Sequence, residues 1–92
     1  MTLRDIANHP TVTIIDVREP WEFAAGHVVN SINIPLGTLK NNLLVIDEFT
    51  KPILLCCESG NRSGQAANLL VAKGQDRVYN GGGWRDLRNM IF

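Results

Sequence analysis

The sequence predicts an α/β domain: a mostly parallel sheet with helices on both faces. Three observations lead there. Apolar, β-branched runs alternate along the chain with segments carrying helix start and stop signals, and strands joined through helices pair in parallel by right-handed crossovers. The run Ile53-Leu54-Leu55-Cys56-Cys57 is the most apolar of them, so it belongs at the centre of the sheet. The chain has 92 residues, 45% of them hydrophobic, which suits one compact domain over residues 1–92 and no second.

The elements follow in order. Thr2 to Ile6 is a short helix with Thr2 as N-cap and Asp5 three residues on, stopped by His9-Pro10. Val12 to Val17 is a buried strand. Pro20 suits the first turn of the next helix, with Glu19 beside the positive end of its dipole; Trp21 to Ala24 continue it and Gly26 ends it. Ser31 to Pro35 is a short strand cut off by its proline. Leu39, Leu43 and Ile46 have the i, i+4, i+7 spacing of a weak helix. Lys51-Pro52 punctuates the chain before the central strand. Ser63 to Lys73 is a helix with Ala66, Leu69, Leu70 and Lys73 on one face and Gly74 just past its end. Arg77 to Asn80 is a last strand, Gly81-Gly82-Gly83 a turn, and Trp84 to Met90 a final helix.

Composition excludes several functions. Nine Lys plus Arg balance nine Asp plus Glu. Zero net charge gives no general attraction to nucleic acid or to an anionic membrane, so neither is an expected partner. No apolar run approaches the ~20 residues of a membrane span. Met1 to Asp5 has neither a basic region nor an apolar one, so a cytoplasmic location is expected, or a periplasmic one had a signal peptide been removed. The two cysteines, Cys56 and Cys57, are neighbours and point to opposite faces of a strand, which disfavours a bridge between them. The only histidines are His9 and His27, with no zinc-ligand spacing. No metal and no cofactor is expected.

The chemistry points to Cys57-Glu58-Ser59-Gly60-Asn61-Arg62-Ser63-Gly64. The carboxyl end of a central parallel strand is where such sheets bind ligands. A cysteine delivered there enters a tight turn whose Gly60 and Asn61 tolerate positive φ, and a helix starts near Arg62. Inward N–H groups and a helix N-terminus together favour an anion, hence the thiolate. The segment is not a nucleotide-binding P-loop, since it lacks that motif's length and lysine.

These residues resemble the active-site loop of the rhodanese family of sulfurtransferases in its small single-domain form. Asp16-Val17-Arg18-Glu19-Pro20-Trp21-Glu22-Phe23, Gly26-His27-Val28 and Ile32-Asn33-Ile34-Pro35 resemble the family's N-terminal signature. Tyr79-Asn80 with Gly81-Gly82-Gly83 and Asp86-Leu87 resembles the ending of its phage-shock-type members. The resemblance implies a rhodanese-like fold, here reduced to about four strands. It implies Cys57 as the catalytic nucleophile, which takes the outer sulfur of thiosulfate or of a persulfide and passes it from a Cys57 persulfide to cyanide or a thiol. A protein could also be the sulfur acceptor. The backbone amides of Glu58, Ser59, Gly60, Asn61 and Arg62 match the family's substrate cradle. Four residues separate Cys57 from Arg62, whereas the related Cdc25-type phosphatases place five there, and the shorter loop suits a single sulfur atom. The rivals are a non-catalytic rhodanese-like binding module, a phosphatase or other oxyanion enzyme, and a thiol redox protein using both cysteines.

Individual side chains carry further expectations. Glu58 departs from the family pattern: an acid beside the nucleophile repels a dianionic donor, and Arg62 and Arg18 are the cations available to offset it. Arg62 shapes the loop or the donor site. Arg18 pairs with Glu22 at i, i+4. Asp16 fixes a neighbouring turn through backbone N–H groups, and His27 orders the turn after Gly26. Trp21 and Trp84 either rim the site or pack elsewhere.

Overall fold

The computed structural model describes residues 1–92. Its element order is α1 (Leu3–Ala7), β1 (Thr13–Asp16), α2 (Pro20–Ala25), β2 (Ile32–Asn33), a 3-10 segment (Leu36–Asn42), α3 (Leu43–Asp47), β3 (Ile53–Cys57), α4 (Asn61–Ala72), β4 (Val78–Gly83) and α5 (Trp84–Met90). The four strands form one sheet in the order β2-β1-β3-β4, every pair parallel. The expected α/β architecture is therefore present, with β3 inside the sheet and buried at every residue.

The alternation of side chains along β3 builds two cores at once. Ile53, Leu55 and Cys57 point into one cluster with Ile15, Leu39 and Leu70, covered by α4 and the 3-10 segment. Leu54 and Cys56 point the other way, to Ile6, Val28, Trp84 and Leu87 beneath α1 and α5. Each fully buried aliphatic side chain contributes about 1.5–3 kcal/mol. Local signals set the helix starts: the Thr2 hydroxyl accepts the Asp5 N–H at 3.2 Å while the Asp5 carboxylate accepts the Thr2 N–H at 3.0 Å.

Three expectations need correction. The Leu39–Ile46 pattern forms a 3-10 segment followed by the short α3; its apolar positions still bury, Leu39 and Ile46 completely. On α4 Lys73 is exposed, and Ala67 instead joins Ala66 and Leu70 inside. The largest difference is Gly81-Gly82-Gly83, which continues β4 and is not a turn. Leu55 pairs with Asn80 but Cys56 pairs with Gly82, so Gly81 is the extra residue of a bulge and Gly82 adopts φ 80°. Glycine is required by crowding. A Cβ on Gly81 would lie 3.0 Å from the Leu55 carbonyl oxygen, and one on Gly83 would lie 2.7 Å from that of Glu58.

Candidate active site

β3 ends at Cys57, beside β1 on one side and the glycine run of β4 on the other. The chain then turns through Glu58 and Ser59 to Gly60, whose φ of 97° brings its N–H back toward the cysteine. A Cβ at Gly60 would meet the Gly82 Cα at 3.3 Å, so both the conformation and the space favour glycine here. The Cys57 sulfur accepts the Gly60 N–H at 3.0 Å and the Ser63 N–H at 3.3 Å, and the Ser63 Oγ lies 3.3 Å away. Cys57 is 1% exposed.

Burial pushes the Cys57 thiol up, but the Ser63 hydroxyl and the amides of Ser63, Gly60 and Ser59 outweigh it and hold its pKa below the ordinary thiol value. Cys56, one residue earlier, goes the other way. Burial, reinforced by the charge of Asp16, pushes it up to about 12. Both thiols are free, and they face opposite cores. Of the two thiols, only Cys57 is shifted toward its anion.

Among the expected cradle residues, Gly60 turns its amide to the sulfur, and the Ser59 amide contributes to the lowered thiol pKa. Those of Asn61 and Arg62 lie in the first turn of α4, where helix geometry leaves N–H groups without intrahelical acceptors. Glu58 supplies a carbonyl pressed against Gly83 and a side chain at the surface. Ser63 contributes both N–H and Oγ and was missing from the expected set, although its place at the start of an anion-facing helix was a usable signal. Asn80, which bonds Ser63 and Gly60 from β4, had no local signal.

The charged side chains pair differently from expectation. Arg18 does not bind the Glu22 carboxylate. It is buried and holds both oxygens of the buried Asp16, with Nη2 at 2.7 Å and Nε at 3.0 and 3.1 Å, and it reaches only the carbonyl of Glu22. An unpaired carboxylate at that depth would be costly, so the nearer partner wins. Asp16 also accepts the Arg18 N–H at 3.0 Å, the expected turn-fixing bond. Glu22 instead takes Arg62 in a two-pronged pair of 2.6 and 2.9 Å, tying α2 to α4. The Arg62 guanidinium and the Glu19 N–H hold the Glu22 carboxyl down at about 2.

Glu58 therefore forms an ion pair with neither Arg62 nor Arg18, although the charge of Arg18 still helps to lower its pKa. Arg85 of α5 pairs with its carboxylate, and the Trp84 indole N–H donates to it at 3.3 Å; Arg85 is the larger cause of its lowered pKa. Trp84 is buried, with the guanidinium groups of Arg18, Arg85 and Arg88 4.8, 4.7 and 5.0 Å from its ring centre. Trp21 is 72% exposed on α2. His27 stacks on Phe23 at 3.7 Å and donates from Nδ1 to the Phe23 carbonyl at 2.8 Å, ordering the turn as expected. A surface cavity of about 350 Å³, lined by Val28, Val29, Asn30, Arg88, Ile91 and Phe92, includes no residue of the loop.

The family model for the rhodanese-like domain matches residues 2–89. The chain is 42% identical over 74 residues to the uncharacterized protein YqhL of Bacillus subtilis, covering 80% of this chain and 58% of that protein. It is 35% identical over 74 residues to the thiosulfate sulfurtransferase PspE of Escherichia coli, covering 79% of this chain and 71% of that one. A solved rhodanese with anions from E. coli superposes with a TM-score of 0.74 at 34% identity, over 82% of this chain and 89% of that one. The chain thus spans little more than half the length of YqhL and most of the length of PspE.

Proposed function

The chain belongs to the rhodanese-like domain family, and from that membership we propose that it is a sulfurtransferase of the thiosulfate sulfurtransferase type, with Cys57 as its nucleophile. One observation carries the reading: the amides of Gly60 and Ser63 converge on a single sulfur at 3.0 and 3.3 Å, at the end of a central strand. The Cys57 thiolate attacks the outer sulfur of thiosulfate or of a persulfide. The S–S bond of the donor breaks, and sulfite or a thiolate leaves with the bonding electrons. The transferred sulfur stays on Cys57 as a persulfide, whose negative charge falls among the amides of residues 58–63. Cyanide, a small thiol or a protein thiol then attacks that outer sulfur and restores the Cys57 thiolate.

The relative PspE, a thiosulfate sulfurtransferase by name, supports this reading, as does the spacing of four residues between Cys57 and Arg62. The Arg62 side chain is committed to Glu22, so main-chain N–H groups, not a guanidinium, supply the anion contacts. That suits one sulfur better than a phosphate tetrahedron. No helix is long and apolar enough to cross a membrane. Intact mass spectrometry after thiosulfate treatment tests the proposal. Wild type should gain one sulfur atom, lost again on adding cyanide, and Cys57→Ala should gain none. Equal thiocyanate production by wild type and Cys57→Ala would overturn it. Turnover of an aryl phosphate without sulfur transfer would favour the phosphatase alternative.

A further inference from the structure

Asn80 takes no part in that scheme, yet the hydrogen bonds behind the loop converge on it. Its Oδ1 accepts the Gly82 N–H at 2.9 Å and lies 2.7 Å from the Ser63 hydroxyl, and its Nδ2 donates to the Gly60 carbonyl at 3.0 Å. Two main-chain groups fix the orientation of this amide, because an N–H can only donate and a carbonyl can only accept. Turned over, the amide would set its NH₂ against the Gly82 N–H and its oxygen against the Gly60 carbonyl. With Oδ1 so placed, Ser63 must be the donor, since that oxygen carries no proton.

A serine hydroxyl has one proton. Given to Asn80, it leaves only lone pairs toward the Cys57 sulfur 3.3 Å away. The contact is then S–H···O, with sulfur the donor, while Cys57 is a thiol. Once the sulfur is anionic the same arrangement sets lone pairs against a negative charge. Turning the Ser63 O–H onto the sulfur relieves this, and the Oδ1 of Asn80, an exposed residue, still keeps the Gly82 N–H, so that acceptor is not stranded. One hydroxyl thus has two satisfied positions, one for each charge state of Cys57.

We propose that Asn80 is a positioning residue for Cys57 acting through Ser63: it holds the Ser63 hydroxyl proton while Cys57 is a thiol and yields it when the sulfur becomes anionic. Asn80 and the sulfur compete for one proton, so Asn80 opposes formation of the anion by this route. Ser63 keeps its proton throughout; the proton lost from Cys57 goes to solvent. The ionisable groups around Cys57 are unaltered by changes at Asn80. They are Cys56 on β3, Asp16 with Arg18 at the end of β1, Arg62 of α4 with Glu22 of α2, and Glu58 with Arg85 of α5. β4 adds only Tyr79, which packs on the opposite core.

The inference rests on Cys57 being the working nucleophile, but its test needs no sulfur donor. Ultraviolet absorbance of the thiolate, taken as the difference from Cys57→Ala, follows ionisation directly, and Cys56 at about 12 stays protonated over the range. Asn80→Ala should lower the Cys57 midpoint by about half a unit, giving roughly threefold more anion below it. In a Ser63→Ala background the same substitution should leave the midpoint in place. Asn80→Asp keeps an acceptor and makes it charged, so the midpoint should rise, and rise less when Ser63 is Ala. An unchanged or raised midpoint in Asn80→Ala, or shifts of equal size with and without Ser63, would overturn the proposal. Should Asn80→Ala not fold, the Asn80→Asp comparison decides alone. Failure here leaves sulfur transfer intact, because that activity is judged separately by the mass gained on Cys57.

Discussion

Glu58 sets a carboxylate one residue from Cys57, and Arg85 and the Trp84 indole N–H hold it there. Both members of the ion pair are about half exposed, so the pair is screened and labile. Glu58→Gln removes the repulsion and frees Arg85 for an anionic donor, and kcat/KM for thiosulfate should rise about two- to fivefold. Arg85→Ala leaves the acid unopposed and should lower it by a similar factor. Steady-state kinetics at low and at high salt checks both, and the two effects should shrink together as salt increases. The turn that sets the Gly60 N–H on the Cys57 sulfur was legible in the sequence, because a cysteine, a glycine-containing turn and a helix start are neighbours along the chain. The partner of Glu58 was not. Arg85 is 27 residues away, and nothing in the spacing says that α5 returns to the loop. Arg18 misled for a related reason: the i, i+4 pattern names Glu22, but the buried Asp16 is the stronger claimant.

Besides α5, two elements converge on the loop from outside it, α2 and β4. The Glu22–Arg62 pair fastens α2 to the first turn of α4. The Glu22 carboxyl is depressed from 4.5 to about 2 in the folded protein, chiefly by Arg62. A depressed acid stabilises the fold fully above its unfolded value, and that contribution is lost as pH falls from 4.5 through about 2. Urea midpoints measured over this interval should fall more steeply for wild type than for Glu22→Gln. β4 acts by crowding. Gly83 has ordinary backbone angles, φ −73°, so Gly83→Ala is unfavourable only because its Cβ would lie 2.7 Å from the Glu58 carbonyl oxygen. It should cost about 1–3 kcal/mol in stability and displace the loop. Gly37→Ala, with nothing within 4 Å, should cost little, and thermal unfolding of the two variants makes the comparison. Helix starts such as Thr2 and Pro20 were legible because caps are local chemistry. Gly81 to Gly83 read as a turn because glycine usually signals one; here it signals a strand pressed against another backbone, a contact visible only once the sheet is assembled.

Across the whole molecule, β3 is the shared wall of two cores, and this binds the halves of the chain into one unit. We expect residues 1–92 to unfold in a single cooperative step, with circular dichroism and tryptophan fluorescence giving coincident transitions. Leu54→Ala and Leu55→Ala empty opposite cores, yet each should cost about 2–5 kcal/mol and shift both signals together. Separate transitions would divide the domain. The interior place of β3 was within reach of the sequence, since the most apolar strand had to be interior, whereas the bulge that changes the β4 register was not. That bulge has a practical consequence for protein engineering. The hexamer from residue 57 to residue 62 is not a portable cassette, because its shape is cast against a neighbouring strand stripped of side chains. Transplanting the reactive segment onto a foreign scaffold would require carrying that glycine backing along with it.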